Sequence, residues 1–208
     1  MASDQIAARF DRWAPTYDSS ALQSLLYRPM HGAILERCSA RVPAPRRLID
    51  IGCGTGQMLA AAEQRFPDAQ LVGVDLSKRM LSIAAGTGRG QRGACLVQGR
   101  AERLPFADAV FDVAAATLTY RHWSDQHAGV AEIGRVLSDG GVFGLAAVIP
   151  RRRRAISRWC RTRSGRLPAP LAAALANAGL RVGSVEAISG VGPISEVTLM
   201  IAIRRHRR

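Results

Sequence analysis

"RLIDIGCGTGQMLAAAEQRFPDAQLVGVDL", residues 47–76, holds the alternation that decides the fold. An apolar run from Arg47 to Ile51 stops at three glycines on alternate positions, Gly52, Gly54 and Gly56. Met58, Leu59, Ala62 and Phe66 then recur at helical spacing as far as Pro67, and a second apolar run closes on Asp75. Strand, tight turn, helix and strand make a βαβ unit, whose two strands run parallel. Glycines between a strand and a helix let the backbone come close to a ligand, because no Cβ stands in the way.

The spacing separates ligand classes. A dinucleotide fingerprint, G-x-G-x-x-G, needs a third glycine where this chain has Gln57. Here the pattern is G-x-G-x-G, with one acid inside the first strand (Asp50) and another at the end of the second (Asp75). A carboxylate in the latter place can accept charge-assisted hydrogen bonds from both ribose hydroxyls of an adenosine. The arrangement favours an adenosine ligand without a diphosphate.

Outward from this unit the alternation continues. "SKRMLSIAAG" (77–86) reads as a helix with Ser77 as its N-cap and Gly86 beyond its end. "ACLVQG" (94–99) and "FDVAAATLT" (111–119) read as strands, "DQHAGVAEIGRVL" (125–137) as a helix, and "GGVFGLAAVI" (140–149) as a fifth strand after the turn "SDGG". "PLAAALANAGLRVGSVEAI" (170–188) runs from helix into strand, and "VTLMIAI" (197–203) is a last strand. The pattern predicts an α/β fold with a parallel sheet covered by helices on both faces. At 208 residues and 48% hydrophobic composition, one domain over 1–208 is expected, with no repeats and no long linker.

The net charge of +13 is local. Residues 1–149 carry 16 Lys and Arg against 14 Asp and Glu, whereas 150–208 carry 13 against 2. Eight arginines crowd between Pro150 and Pro168, in an insertion that starts at the carboxyl end of the fifth strand, where open parallel sheets bind ligands. No run reaches the length of a membrane span, and the acidic, broken start "MASDQIAARFDRW" is unlike a signal peptide, so a soluble, cytoplasmic protein is expected. Cys38, Cys53, Cys95 and Cys160 stand too far apart for a C-x-x-C metal or disulfide pattern and read as buried thiols; no metal site is expected.

"LIDIGCGTG", "LVGVDLSKRML", "RAERLPFADAVFDVAAATLTYRHW" and "RVLSDGGVFGLAAV" resemble, in order and spacing, the motifs of class I S-adenosylmethionine-dependent methyltransferases. The likeness is to the small-molecule, type 11 group that includes ubiquinone and menaquinone biosynthesis enzymes; it covers about 140 residues, and "FDRWAPTYD" (10–18) extends it upstream. The resemblance implies a Rossmann-like, doubly wound, mostly parallel seven-stranded sheet with an antiparallel last strand, and a helical N-terminal lid over 1–40. It implies S-adenosylmethionine as cofactor and S-adenosylhomocysteine as product.

Residue by residue, the resemblance places Asp50, Gly52, Cys53, Gly54 and Gly56 at the methionine half of the cofactor. Asp75 falls at the ribose, Leu76 and Met80 at the adenine, and the loop carrying Arg100, Ala101 and Glu102 at its other side. Thr117 and Leu118 fall beside the methionine amino group and sulfonium, and Tyr17 at the carboxylate or the reacting centre. Relatives often carry an acid where this chain has Arg100, and a guanidinium, a donor only, cannot accept from the adenine amine. Glu102, a backbone carbonyl, or packing alone has to serve there.

Methyl transfer from a sulfonium is an in-line displacement that gains more from alignment and desolvation than from acid catalysis. A base is needed only if the nucleophile must lose a proton. Tyr120, His122 and His127, in "TYRHWSDQH", and Tyr17 are the candidates; each also reads as a structural partner. Trp13 and the arginines from Arg151 and Arg152 to Arg154 are candidates for acceptor contacts, the arginines toward an acidic or carrier-bound molecule. The expected function is methylation of a small molecule on O, N or C, in secondary-metabolite or quinone biosynthesis. Two alternatives stay open, a nucleic-acid methyltransferase and a non-catalytic cofactor-binding regulator. The first lacks an Asn/Asp-Pro-Pro-aromatic motif, since "TLTY" stands there, and aromatics make up only 5% of residues for stacking bases.

Overall fold

The computed structural model describes residues 2–88, 93–148, 167–189 and 196–206. Its helices are α1 (Ala2–Tyr17), α2 (Arg28–Ser39), α3 (Gln57–Arg65), α4 (Lys78–Gly86), α5 (Gln126–Val136) and α6 (Ala169–Asn177). The strands are β1 (Arg47–Ile51), β2 (Gln70–Asp75), β3 (Cys95–Gln98), β4 (Phe111–Thr117), β5 (Leu137–Ala147), β6 (Leu180–Ser189) and β7 (Glu196–Arg204). A π-helical turn, Gln23–Tyr27, leads into α2, and a 3-10 turn, Tyr120–His122, follows β4.

One seven-stranded sheet runs in the order β3-β2-β1-β4-β5-β7-β6. All neighbours are parallel except β7, which is antiparallel to β5 and to β6. This is the doubly wound architecture with its antiparallel last strand. The strand order reverses between β1 and β4, and in such sheets that reversal opens a crevice at the carboxyl ends.

The period of two along each strand divides the core into two layers. Ile49, Ala114, Ala116, Phe143 and Leu145 pack with Val130 and Ile133 of α5 and with Leu171 and Leu175 of α6. Leu48, Val113, Ala115 and Val142 pack on the other face with Ile34 and Leu35 of α2 and with Met58 and Leu59 of α3. Alternation along β1 therefore puts Asp50 on the α2 side. Few apolar side chains are left over, and Leu25 and Val182 are the large exposed ones among the described residues. No helix is long and apolar enough to cross a membrane among the described residues.

Three local readings change. The turn "SDGG" lies within β5: Phe111 pairs with Leu137 and Val113 with Val142, so Ser138–Gly141 bulge out of the ladder, with Gly140 at φ +77°. The burial of Leu137 against the core draws it back into pairing before the turn. Gly86 closes α4 rather than following it, and Thr87 N donates to Ile83 O at 2.9 Å. Cys38 and Cys53 are buried, but Cys95 is exposed because β3 is the edge strand. Cys160 and the insertion's arginines, Arg151 and Arg152 among them, lie outside the described residues.

Candidate active site

Three loops meet at the carboxyl ends of β1, β2 and β4. Gly52 N and Cys53 N both donate to Val74 O, at 2.7 and 3.0 Å, which folds the glycine turn over the end of β2. Gly54 N then donates to Asp75 Oδ2 and Ser77 N to Asp75 Oδ1, both at 2.8 Å. One carboxylate thus ties the turn after β1 to the turn that starts α4. Gly52, Gly54 and Gly56 all have positive φ, which is why glycine stands at each. Leu118 at the end of β4 has φ +58°, a conformation that costs a non-glycine residue about 1–2 kcal/mol, and strain of this kind gathers at binding sites.

Over these loops lies α1. Asp11 accepts from Ser77 Oγ at 2.5 Å and from Arg79 N at 3.2 Å; seven residues on, Asp18 accepts from Thr55 Oγ1 at 2.6 Å and Gln57 Nε2 at 2.9 Å. The lid is therefore latched to both neighbouring helices near their N-termini. Its inner face presents Phe10, Trp13 and Tyr17 at helical spacing. Trp13 stands edge-on to Tyr17 with centroids 4.7 Å apart, Tyr17 to Tyr27 at 5.8 Å, and Phe10 to His122 at 5.2 Å.

Between lid and loops is an open cleft with about 800 Å³ of empty space, its solvent-filled mouth included. Its walls include Trp13, Tyr17, Gly52, Gly54, Asp75, Leu76, Met80, Thr117, Leu118 and His122, ten of the residues singled out in the sequence. A smaller chamber of about 290 Å³ adjoins it, bounded by Asp50 and Cys53 and shared with Tyr17, Gly52 and Thr117.

The remaining candidates stand elsewhere. Gly56, which caps α3, and Tyr120, edge-on to Trp123 at 5.2 Å, are in neither wall. Ala101 is core, and Glu102 Oε1 accepts from Ser124 N and Asp125 N at 2.6 and 3.1 Å, fastening the loop before α5. Arg100 is paired through its backbone with Arg103 and lines neither space, nor does His127. Sequence reasoning missed Arg9, Phe10, Thr119 and Arg121 in the cleft, and Gln23, His31 and Thr55 in the chamber. Only Phe10 and Arg9 carried a signal, from their helical phase with Trp13 and Tyr17.

Burial dominates the electrostatics. His31 is lowered to about 4 by burial and then by the charge of Arg28; His122 is lowered to about 4 by burial, then by Arg121 and Arg9. Both imidazoles are neutral at physiological pH. The Tyr17 phenol is raised by burial and by its neighbour Tyr27, and the Cys53 thiol by burial and by Asp50 and Asp75. Asp75 is raised by burial, against the stabilising amides of Ser77 and Gly54. No cluster of metal-ligating side chains occurs among the described residues.

Asp50 is pushed up to about 8, first by burial and then by the charge of Asp75. The folded protein therefore keeps a proton that the unfolded chain, with an aspartate near 3.8, releases. Linkage makes that contribution complete below about pH 4 and lost as pH rises through about 8. Asp50→Asn, neutral throughout, should gain thermal stability over the parent as pH rises from about 5 to 9, by a few kcal/mol at the upper end. His31 works in the opposite sense but is common to both proteins and cancels. Melting curves whose difference is the same at pH 5 and pH 9 would show that Asp50 is ionised in the fold.

Residues 49–145 match the family model described as "Methyltransferase domain". Over 148 residues, 70% of this chain, the sequence is 37% identical to the malonyl-acyl-carrier-protein O-methyltransferase of Dechloromonas aromatica. Over 108 residues, 51% of the chain, it is 36% identical to the demethylmenaquinone methyltransferase of Deinococcus radiodurans. The matches cover 51% and 45% of those proteins, so the chain spans about half the length of the curated relatives it matches. Among solved structures, the 4+2 cyclase SpnF superposes with a TM-score of 0.80 at 20% identity, over 99% of this chain and 97% of that one. The shared fold therefore reaches beyond methyl transfer, and activity has to be argued from the site.

Proposed function

From the methyltransferase domain carried by residues 49–145, we propose that this chain transfers a methyl group from S-adenosylmethionine to a small-molecule acceptor. The observation that carries the reading is the joint made by Asp75 with the Gly52–Gly54 turn at the sheet's switch point. Two unpartnered buried atoms test the fit of the cofactor: Thr117 Oγ1 and Gln23 Oε1 have no hydrogen-bond partner among the described residues, and both residues line the smaller chamber. An ammonium donor and a carboxylate acceptor, as on an amino acid, suit a carbonyl and a hydroxyl there.

In this reading Asp75 takes the ribose hydroxyls, Leu76 and Met80 flank the adenine, and Gly52 and Gly54 give the methionine arm its close approach to backbone. Gln23, Thr117 and the neutral His31 line its amino-acid end. On the loop with Arg100 and Glu102, the Ala101 amide is the donor offered to an adenine ring nitrogen. When bound, the cofactor supplies an electrophilic methyl on a positively charged sulfur. The chain's part is to align donor with acceptor and keep water out, which the aromatic lid of Phe10, Trp13 and Tyr17 does. Leu118, held in its left-handed conformation, faces the same space.

The relatives' names point to two kinds of acceptor, an acid on a carrier protein and a quinone nucleus. The test is incubation of the full chain with methyl-labelled S-adenosylmethionine and a whole-cell extract of the source organism, its small molecules, proteins and RNA included. Label in one small product, with S-adenosylhomocysteine released in equal amount, supports the proposal; label in RNA alone would overturn it.

A further inference from the structure

We infer that the acceptor is a carboxylate, gripped by Arg9 and Arg121 at the mouth of the cleft and methylated on oxygen; the inference rests on the methyltransferase reading above. Arg9 comes from the lid and Arg121 from the 3-10 turn after β4, and both line the cleft. Neither has a carboxylate partner among the described residues, although most other acids near the site are engaged. Asp11 and Asp18 latch the lid, and Asp75 holds two backbone amides. Two exposed arginines thus line one ligand space, and neither is paired with a carboxylate among the described residues.

His122 feels the charge of both. Its Nε2 accepts from Arg121 Nε at 3.0 Å, and Phe10 packs edge-on against its ring. The lone pair that would make His122 a base is spent on the guanidinium. Arg121 is left with its two terminal NH2 groups, a fork that matches the two oxygens of a carboxylate. His122 is a positioning residue for Arg121.

The proton balance agrees. Tyr17, on the inner face of the lid, is held protonated, Asp50 sits in the smaller chamber, and Asp75 already accepts from the Gly54 and Ser77 amides. None of these is placed to deprotonate a neutral hydroxyl at the mouth. A carboxylate arrives ionised at neutral pH and needs no base. An oxygen lone pair forms the new O–CH3 bond as the S–CH3 bond breaks, and that bond's electron pair stays on sulfur, which becomes a neutral thioether. No proton moves. The methyl ester carries no charge, so the arginines lose their partner and the product is released.

Methyl esters and other methylated groups are told apart by mild alkali, which frees labelled methanol from an ester and leaves C-, N- and phenol ether methyls in place. The full chain is incubated with methyl-labelled S-adenosylmethionine and the extract, filtered and unfiltered, to separate free from carrier-bound acceptor. Volatile label is expected after alkali. At limiting acceptor, Arg9→Gln and Arg121→Gln should each slow labelling about 10- to 100-fold, with Arg121→Lys partly restored, while calorimetric affinity for S-adenosylhomocysteine is unchanged. His122→Phe should raise the acceptor KM without removing a limb from the pH profile of kcat. Alkali-stable label, or arginine variants labelling at the parent rate, overturns the carboxylate inference and leaves methyl transfer standing. Absence of both label and S-adenosylhomocysteine binding overturns the methyltransferase reading itself.

Discussion

Asp75→Ala is expected to abolish measurable S-adenosylmethionine binding, a loss of at least about 100-fold, from two charge-assisted hydrogen bonds to the ribose at about 1.5–3 kcal/mol each. The substitution also frees Gly54 N and Ser77 N, both now at 2.8 Å from the carboxylate, so the glycine turn loses its tie to the start of α4. Cooperative melting should survive, because the turn keeps its bonds from Gly52 N and Cys53 N to Val74 O and Asp11 still receives Ser77 Oγ. Isothermal titration with S-adenosylhomocysteine, set beside a melting curve, reads both effects. Parent-like affinity in a folded Asp75→Ala protein removes the ribose assignment.

Gly52→Ala is the second large effect. A Cβ there would stand 2.7 Å from Thr119 Cβ and closer still to Thr119 Oγ1, and Gly52 has φ +77°. Thr119 cannot simply rotate away, since its own Cβ is in the path and its Oγ1 receives Trp123 Nε1 at 3.1 Å. Overpacking at about 1–3 kcal/mol and backbone strain at about 1–2 kcal/mol together predict a destabilisation of about 2–5 kcal/mol, with the cleft deformed at its centre. Gly54→Ala is the comparison. Its φ is +53°, but the nearest atom to its Cβ would be Tyr17 Cε1 at 3.9 Å, so only the backbone cost applies. Equal melting points for the two variants in denaturant or heat would show that Thr119 yields freely and that the turn is not packed as described.

The strand and helix alternation from Arg47 to Ala147 is legible because each strand is bounded by a glycine, proline or capping residue and each helix keeps one apolar face. Asp50, Asp75 and the glycine turn could be picked out for the same reason, since their chemistry and backbone requirements are local. What could not be read is whatever depends on distant segments meeting. His122 is visible as a titratable residue after β4, but its bond to Arg121, and the lid's Arg9 and Phe10 beside it, arise only when α1 closes over the sheet. Gln23 and His31 belong to a stretch with no motif, and the π-helical turn and the start of α2 bring them to the smaller chamber. Glu102 shows the converse. Its position suggested an adenine contact, yet the free amides of Ser124 and Asp125 at the start of α5 claim its carboxylate.

A crystal structure of the full chain with S-adenosylhomocysteine would show where the cofactor lies. The ribose hydroxyls are expected on the Asp75 carboxylate, the amino-acid end in the chamber of Gln23 and Thr117, and the sulfur facing the part of the cleft lined by Arg9 and Arg121. A ligand bound elsewhere, or a cleft that stays free of it at saturating concentration, would contradict that placement.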